Sequence, residues 1–519
     1  MADPQVQLGT GVEPGEAELQ GLVADRFATR LFDRDASLWG ESAESEAAVR
    51  LGWVDACAHG DATVAEVEVL RAELNAAGVD RVVLCGMGGS SLAPEVICHR
   101  DWAPLTILDS SHPSQVRRAL ADPQRTVVVV SSKSGSTIET RSQLAAFEAA
   151  FAEAGIDASA RVVVVTDPGS ALHDVAKDRG YRAFLGDPEV GGRYSALTPF
   201  GLVPAVLAGA DARSLLAEAA AAAELLRLDS PENPALRLAA ALSAALPRRY
   251  LGLHESQVHG TPLADWIEQL VAESTGKQGT GILPIALPQS APELAGRLPE
   301  TELLVELRPA PGSGEPLPGS LSVSGPLGGQ FMLWEVATAA LGRLLGVNPF
   351  DQPDVEAAKV AARAALEQSG TDGESPNLDP TTVASTLRAA MPNDGYLAIQ
   401  AFLDRATEAP LVELRDALVR ALGVPVSLGY GPRYLHSTGQ FHKGGPACGV
   451  FLQIVDDGHA LATADLPIPG SDAGGFAALV MAQARGDRTV LEELGRPVFV
   501  MTADQVAAAL AALTAQLDQ

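Results

Sequence analysis

Two strand-to-helix turns rich in glycine and serine constrain the fold of this chain more than any other feature. The first turn is GMGGSS at 86–91, after the apolar run Arg81–Cys85; the second is SSKSGST at 131–137, after the run Thr126–Val130. A helical pattern follows each turn. Because continuous apolar strands are buried on both faces, these units predict an α/β fold with a parallel sheet between helices.

The same two turns are typical of an anion site. Backbone N–H groups at the start of a helix, together with nearby hydroxyls, hold phosphate well. A single Gly-rich turn is equally consistent with simple packing, but two such turns about 45 residues apart favour a phosphate cradle. The predicted substrate or phosphate contacts in them are Gly88, Gly89, Ser90, Ser132, Lys133, Ser134 and Thr137.

The formal net charge limits the classes of partner that the chain can bind. With a formal net charge of −28, the chain is a poor partner for nucleic acid or an anionic membrane surface. A phosphorylated ligand therefore needs local positive potential at its site. Four cations inside Gly-rich or polar motifs could supply it: Lys133, Arg193, Lys277 and Lys443.

The cysteines and the N-terminus indicate the compartment. Cys57, Cys85, Cys98 and Cys448 show neither a C-x-x-C pair nor the spacing of a disulfide framework, which suits a reducing environment. The N-terminal residues carry no basic segment and no apolar core of a secretion signal. We therefore expect a soluble cytoplasmic protein with no membrane partner.

Five stretches, in order along the chain, carry a family resemblance. Together they resemble the glucose-6-phosphate isomerase family with its sugar-isomerase (SIS) fold, most closely the isomerase half of bacterial transaldolase–isomerase fusions. Asp354 departs from the pattern, where Gly is usual. The stretches are GMGGSS, SKSGST, EVGGRYSALTPFG at Glu189–Gly201, ESTGK at Glu273–Lys277 and GVNPFDQPDVEAAK at Gly346–Lys359.

The resemblance implies two SIS-type lobes, each a largely parallel sheet flanked by helices, with helical N- and C-terminal extensions. At 519 residues, more than one domain is expected in any case. The Pro- and Gly-rich stretch 309–329 is predicted as a surface loop or insertion. The predicted domains are a helical arm at 1–60, a first SIS-like phosphate-binding domain at 61–210, a second with the catalytic glutamate at 211–370, and an α/β segment completing the second lobe at 371–519.

The resemblance also gives the chemistry. An aldose–ketose isomerase moves a proton between C1 and C2 through a cis-enediolate, and one carboxylate suffices as the base. Glu273, at the end of the helix pattern Leu263–Ala272, is the predicted base; a solvated acid at a helix end is the alternative. Arg193, between Gly and Tyr, is predicted either to stabilise the enediolate oxygen or to position a water; an ion pair with Glu189 is the structural alternative.

Ring opening is the least determined part. The family uses a late lysine and a histidine from the partner subunit. The late segment RYLHSTGQFHKGGP offers Gln440, which is predicted to contact the substrate, and Lys443, which is predicted to be catalytic. Phe331 occupies a plausible position for the family's histidine, and no histidine lies between Gly260 and Leu435. The remaining candidates are His436 and His442, with His254 and His259 left open.

Other functions remain open at this point. The same fold could also act on mannose 6-phosphate, or could form a non-catalytic phosphosugar-binding module. No cofactor or metal is expected, since Zn-type spacings and both common nucleotide-binding loop templates are absent from the sequence. The resemblance adds a homodimer as the expected assembly.

Overall fold

The computed structural model describes residues 3–246, 248–255, 262–296, 298–310, 314–354, 360–361, 378–407, 409–456, 461, 464–471 and 474–517. Strands β1 to β14 are, in chain order, Gln5–Leu8, Arg81–Cys85, Leu105–Leu108, Thr126–Ser131, Val162–Thr166, Arg182–Leu185, Tyr250–Glu255, Leu283–Ala286, Glu302–Arg308, Ser320–Ser324, Tyr396–Phe402, Val426–Tyr430, Gly449–Val455 and Val498–Thr502. Helices α1 to α18 are Glu16–Ala24, Phe27–Phe32, Glu41–Ala47, Gly60–Ala76, Leu92–Arg100, Pro113–Ala119, Ile138–Glu153, Ala171–Arg179, Pro199–Ala208, Ala212–Leu226, Pro234–Ala244, Leu263–Thr275, Leu327–Leu345, Val383–Ala390, Ala409–Leu422, Gly439–Gly444, Phe476–Glu493 and Val506–Leu517.

The first sheet is parallel throughout, in the order β3-β2-β4-β5-β6. Alternate residues of one strand enter different apolar clusters: Val82 and Leu84 belong to one cluster, Val83 and Cys85 to another. Burial on both faces explains why these strands read as continuous apolar runs. The α/β class with parallel sheets flanked by helices is confirmed.

The second sheet has the order β1-β10-β9-β7-β8, with β1 antiparallel at one edge. Strand β10 lies inside the stretch 309–329, so the interpretation of that whole stretch as a surface loop is wrong. All five residues of β10 are buried, and Leu321 and Val323 enter the largest core cluster. Their alternation with serine is the strand period, which the neighbouring Pro and Gly residues obscured.

A third sheet, β12-β11-β13-β14, is parallel and belongs entirely to the C-terminal segment. Its own core joins Ile399 and Leu452 of the sheet to Leu414 of α15 and Leu513 of α18. The proposed domain boundaries stay predictions, and the one at 370/371 falls outside the described residues. The separate third sheet was not anticipated from the sequence.

Helix α13 lies in the core of the protein. It packs against α10, α11 and α12, and nearly all of its residues are buried. Phe331 on this helix is fully buried and meets the ring of Trp266 from α12 edge-on at 4.7 Å. Within the described ranges, none of the helices combines the length and apolarity needed to cross a membrane.

Candidate active site

The two Gly- and Ser-rich turns lie side by side at one edge of the first sheet. They follow β2 and β4, which are neighbours although β3 separates them in the chain. After β2 the chain continues to β3 on one side, and after β4 it continues to β5 on the other side. The crevice between two such strands is where parallel α/β sheets bind ligands. Both turns that the sequence predicts to bind phosphate therefore lie at this crevice.

The second turn presents a group of hydroxyls. Ser132 Oγ lies 3.1 Å from Thr137 Oγ1 and accepts the N–H of Gly135 at 3.2 Å, while the exposed Ser134 pairs with Ser136 at 2.8 Å. These hydroxyls lie just before α7, whose N-terminus attracts anions. Ser136 was not among the predicted contacts, although it belongs to the same run.

Lys133, a predicted phosphate contact, is bound by groups of the protein itself. Its ammonium pairs with the carboxylate of Asp167, and it also donates to the carbonyl of Pro188 at 3.3 Å. Burial raises the pKa of Asp167, and Lys133 opposes that increase. The charge of Lys133 is thus already compensated by the protein.

The first turn brings three distant segments together because its glycines carry no side chain. A Cβ on Gly89 would lie 1.9 Å from the carbonyl oxygen of Gly192. One on Gly88, whose φ is +55°, would lie 2.6 Å from the carbonyl oxygen of His436 and 2.8 Å from Nε2 of Gln269. Only glycine permits these approaches. Ser90 is the last residue of a short 3₁₀ segment, Gly88–Ser90, within this turn, and it is partly exposed.

Arg193 lies in a short 3₁₀ turn, Gly192–Tyr194, that precedes α9. Thr198 accepts the N–H of Phe200 at the start of α9, which fixes where the turn ends and the helix begins. The Arg193 side chain is only 3% exposed. Its donors reach Ser274 Oγ at 2.8 Å, Gln352 Oε1 at 2.8 Å, Pro349 O at 2.7 Å, Asp351 O at 2.9 Å and Glu273 Oε1 at 3.2 Å.

Glu273 lies in the last turn of α12 and is held at both oxygens. Oε1 faces Arg193, and Oε2 accepts a hydrogen bond from Gln269 at 3.0 Å. Gln269 also donates to the carbonyl of His436 at 2.8 Å. The predicted alternative for Arg193, an ion pair with Glu189, is not found: Glu189 pairs with Arg34. Sequence reasoning missed Gln269, although it lies four residues before Glu273 on one helix face.

His436 is the candidate histidine that reaches this crevice. Its Nε2 lies 3.0 Å from Oε1 of Glu139, in the first turn of α7 directly after the hydroxyl turn. Glu139 is buried and also accepts from Gln483 at 2.8 Å. Glu139 was missed as well; an acid immediately after a phosphate turn was the available signal.

Two other candidates of the late segment, Lys443 and His442, are buried. The ammonium of Lys443, 1% exposed, pairs with Asp487 at 2.5 Å. The catalytic role of Lys443 stays a prediction. His442 Nδ1 lies 2.8 Å from the Tyr396 hydroxyl, and burial moves the pKa of His442 well below its usual value. His254, on β7, has a pKa lowered by burial, and His259 lies outside the described residues.

Gln440 links the late segment to two of the stretches that carry the family resemblance, Gly346–Lys359 and Glu273–Lys277. Its Oε1 accepts the N–H of Asp354 at 3.0 Å, and its Nε2 donates to Asp354 Oδ2 at 2.6 Å and to the Gly276 carbonyl at 2.9 Å. The departure from Gly at 354 is thereby accommodated. The end of that signature, 355–359, lies outside the described residues. No group of three or more His, Cys, Asp or Glu in the described parts could hold a metal ion.

Comparisons with known proteins point to one family. A family model described as phosphoglucose isomerase matches residues 73–281. The chain is 31% identical over 382 residues to a glucose-6-phosphate isomerase of Rubrobacter xylanophilus, covering 60% of this chain and 87% of that protein. For a glucose-6-phosphate isomerase of Thermus thermophilus the identity is 34% over 381 residues, covering 61% of this chain and 90% of that protein.

Solved structures give the same fold. A hypothetical protein of Thermus thermophilus superposes with a TM-score of 0.59 at 29% identity, covering 70% of this chain and 100% of that one. A glucose-6-phosphate isomerase of Chlamydia trachomatis superposes with a TM-score of 0.56 at 19% identity, covering 68% of this chain and 86% of that one. At that identity the likeness concerns the fold alone.

Proposed function

Since this chain belongs to the phosphoglucose isomerase family, we propose that its crevice interconverts glucose 6-phosphate and fructose 6-phosphate. The observation that carries the proposal is the placement of Glu273. Its carboxylate is held at one oxygen by Arg193 and at the other by Gln269, and both of these residues lie against the first Gly- and Ser-rich turn. A carboxylate fixed in this way is oriented for a single proton transfer.

The division of roles follows from the chemistry of each group. The hydroxyls of Ser132, Ser134 and Thr137, with the backbone around Gly88 and Ser90, would hold the phosphate. Glu273 would take the proton from C2 of the aldose, which leaves negative charge on O1 of a cis-enediolate. A proton would then pass from O2 to O1, and Glu273 would return its proton to C1, so that the carbonyl ends at C2. Arg193, a fixed cation beside that carboxylate, would stabilise the negative charge on the enediolate oxygen.

Ring opening is assigned to His436. In neutral imidazole one nitrogen donates and the other accepts. With Nε2 donating to Glu139, Nδ1 is the nitrogen that can exchange a proton with the ring oxygen or O1 of the sugar. Phe331, fully buried against Trp266, takes no part, and the buried pair of Lys443 with Asp487 supports a structural role for that lysine.

A coupled assay tests the function. Purified protein is expected to convert fructose 6-phosphate to glucose 6-phosphate, followed as NADP⁺ reduction by added glucose-6-phosphate dehydrogenase. Fructose 6-phosphate that binds but does not react would identify the non-catalytic module instead. The homodimer, the cytoplasmic location and activity on mannose 6-phosphate stay predictions.

His436→Asn tests the ring-opening assignment. The variant is expected to lose about 10- to 100-fold in kcat on the cyclic substrate, because the acid–base step is removed. An analogue that cannot close a ring should react at nearly the wild-type rate. The matched control is His442→Asn, where the buried bond to Tyr396 is broken; it should lower stability without distinguishing the two substrates. Equal losses on both substrates for His436→Asn would contradict the assignment.

A further inference from the structure

Lys277 is a buried lysine to which the proposed reaction gives no role. Its side chain is 2% exposed, and its ammonium donates to Asn348 O at 2.6 Å, Asp351 O at 2.6 Å and Asp351 Oδ1 at 2.7 Å. An ammonium has three N–H donors, and all three are engaged here. Lys277 therefore has no donor left for a substrate.

Arg193 of the candidate site binds the same short segment of chain as Lys277. Arg193 donates to the carbonyls of Pro349 and Asp351. Residues 348–351, which we call the 348–351 turn, are therefore bound by both Lys277 and Arg193. The carbonyl oxygen of Asp351 accepts from both of them. Two cations this close repel each other, and the acceptors of the turn between them offset that repulsion.

The position of Arg193 consequently depends on the 348–351 turn. Two of the five guanidinium contacts go to backbone carbonyls of the turn, and a third, to Gln352, goes to the residue that follows it. A shift of the turn would move the guanidinium relative to Glu273, now 3.2 Å away. Misplacement of a reacting group by about 1 Å can cost orders of magnitude in rate.

We infer that Lys277 is a positioning residue, which holds the 348–351 turn and thereby fixes the guanidinium of Arg193 against Glu273. This inference rests on the proposed function, in which Arg193 and Glu273 act on the sugar. It assigns to the last residue of the ESTGK stretch a role distinct from that of the glutamate at its start.

Titration of Lys277 makes the inference measurable. Burial, and then the nearby Arg193, lower the pKa of Lys277 to about 8, while Asp351 and Glu273 oppose the shift; Asp354, the other carboxylate of this segment, is bound by Gln440. Above that pH the neutral amine has one donor fewer, and the turn loses a hydrogen bond. Because the pKa is lower in the folded state than in the unfolded one, this deprotonation favours folding, so a loss of kcat there does not arise from unfolding.

The experiment compares kcat against pH, between about pH 6 and 10, for the wild type, Lys277→Arg and Asp351→Asn. The wild type should lose activity on the alkaline side with a midpoint near pH 8. Lys277→Arg should abolish that loss, since a guanidinium keeps its proton. Asp351→Asn keeps the carbonyl but removes the carboxylate that raises the pKa of Lys277, so the midpoint should move to lower pH. An Asp351→Asn profile that coincides with the wild type would overturn the inference.

Lys277→Met supplies the second measurement. It should lower kcat by about 10-fold with KM nearly unchanged, and should speed hydrogen exchange of the backbone amides around the 348–351 turn. If these amides exchange at the wild-type rate in Lys277→Met, the positioning role is contradicted. This measurement does not depend on whether Lys277→Arg folds. If the wild-type protein does not isomerise fructose 6-phosphate, the proposed function fails, and the exchange measurement still decides whether Lys277 holds the turn.

Discussion

Replacing Glu273 with glutamine is expected to lower kcat for fructose 6-phosphate by about 10²–10⁴-fold, because an amide cannot accept the migrating proton. The side chain keeps its size and can still accept one hydrogen bond from Arg193 or Gln269. Substrate binding should therefore change little, so that kcat and kcat/KM fall together. Exchange of the C2 proton with solvent deuterium, followed by NMR, reports the same step directly and should stop in this variant.

Glu268→Gln is the matched control on the same helix. Glu268 lies about 140° around α12 from Glu273, in a cavity that it shares with Asp265 and Arg433. Burial, and then the nearby Asp265, raise the pKa of Glu268 well above its usual value, and the amide of glutamine keeps the size and shape of this side chain. Its kcat should remain at the wild-type level. Comparable losses in the two variants would show that the helix, rather than the carboxylate at 273, carries the effect.

Arg193→Ala is expected to have the second-largest effect, lowering kcat by about 10²–10³-fold through loss of the charge beside the enediolate. The same change leaves the Glu273 carboxylate and two buried carbonyls, of Pro349 and Asp351, without their donor. Removal of one partner from a buried ion pair typically costs about 3–5 kcal/mol in the free energy of unfolding. Urea unfolding measured beside the coupled assay separates the two effects.

Arg193→Lys provides the graded comparison. It keeps the positive charge but has three donors in place of five, so it cannot satisfy all of the present acceptors. Its kcat and its stability should both lie between those of the wild type and Arg193→Ala. A folded Arg193→Ala variant with kcat within about 10-fold of the wild type would contradict the electrostatic role.

Part of the fold could be read from local sequence. The strands of the first sheet are buried on both faces, and such strands appear as uninterrupted apolar runs, as in Thr126–Val130. Strand β10 was missed because its serines alternate with Leu321 and Val323 between Pro- and Gly-rich flanks. The serine positions are covered by tertiary packing, which a local pattern does not reveal.

Some residues of the candidate site could also be found from the sequence, and others could not. Glu273 and Arg193 lie in distinctive stretches, and the structure places their charged groups in contact although 80 residues separate them in the numbering. Gln269 could have been found from its i, i+4 relation to Glu273. For Lys443 and His442 the motif context was misleading, because a Gly-rich sequence suggested an accessible loop where both side chains are buried.

The sequence by itself located the two Gly- and Ser-rich turns and singled out the glutamate and the arginine as candidates, since each depends on backbone conformation or chemistry within a few residues. Tertiary structure alone decided which histidine reaches the crevice: His436 meets Glu139 across 297 residues of chain. It also decided that Lys443 is enclosed, because its partner Asp487 comes from a separate helix, α17. Long-range pairings of this kind arise when sheets and helices pack, and packing determines which charged groups remain accessible to a substrate.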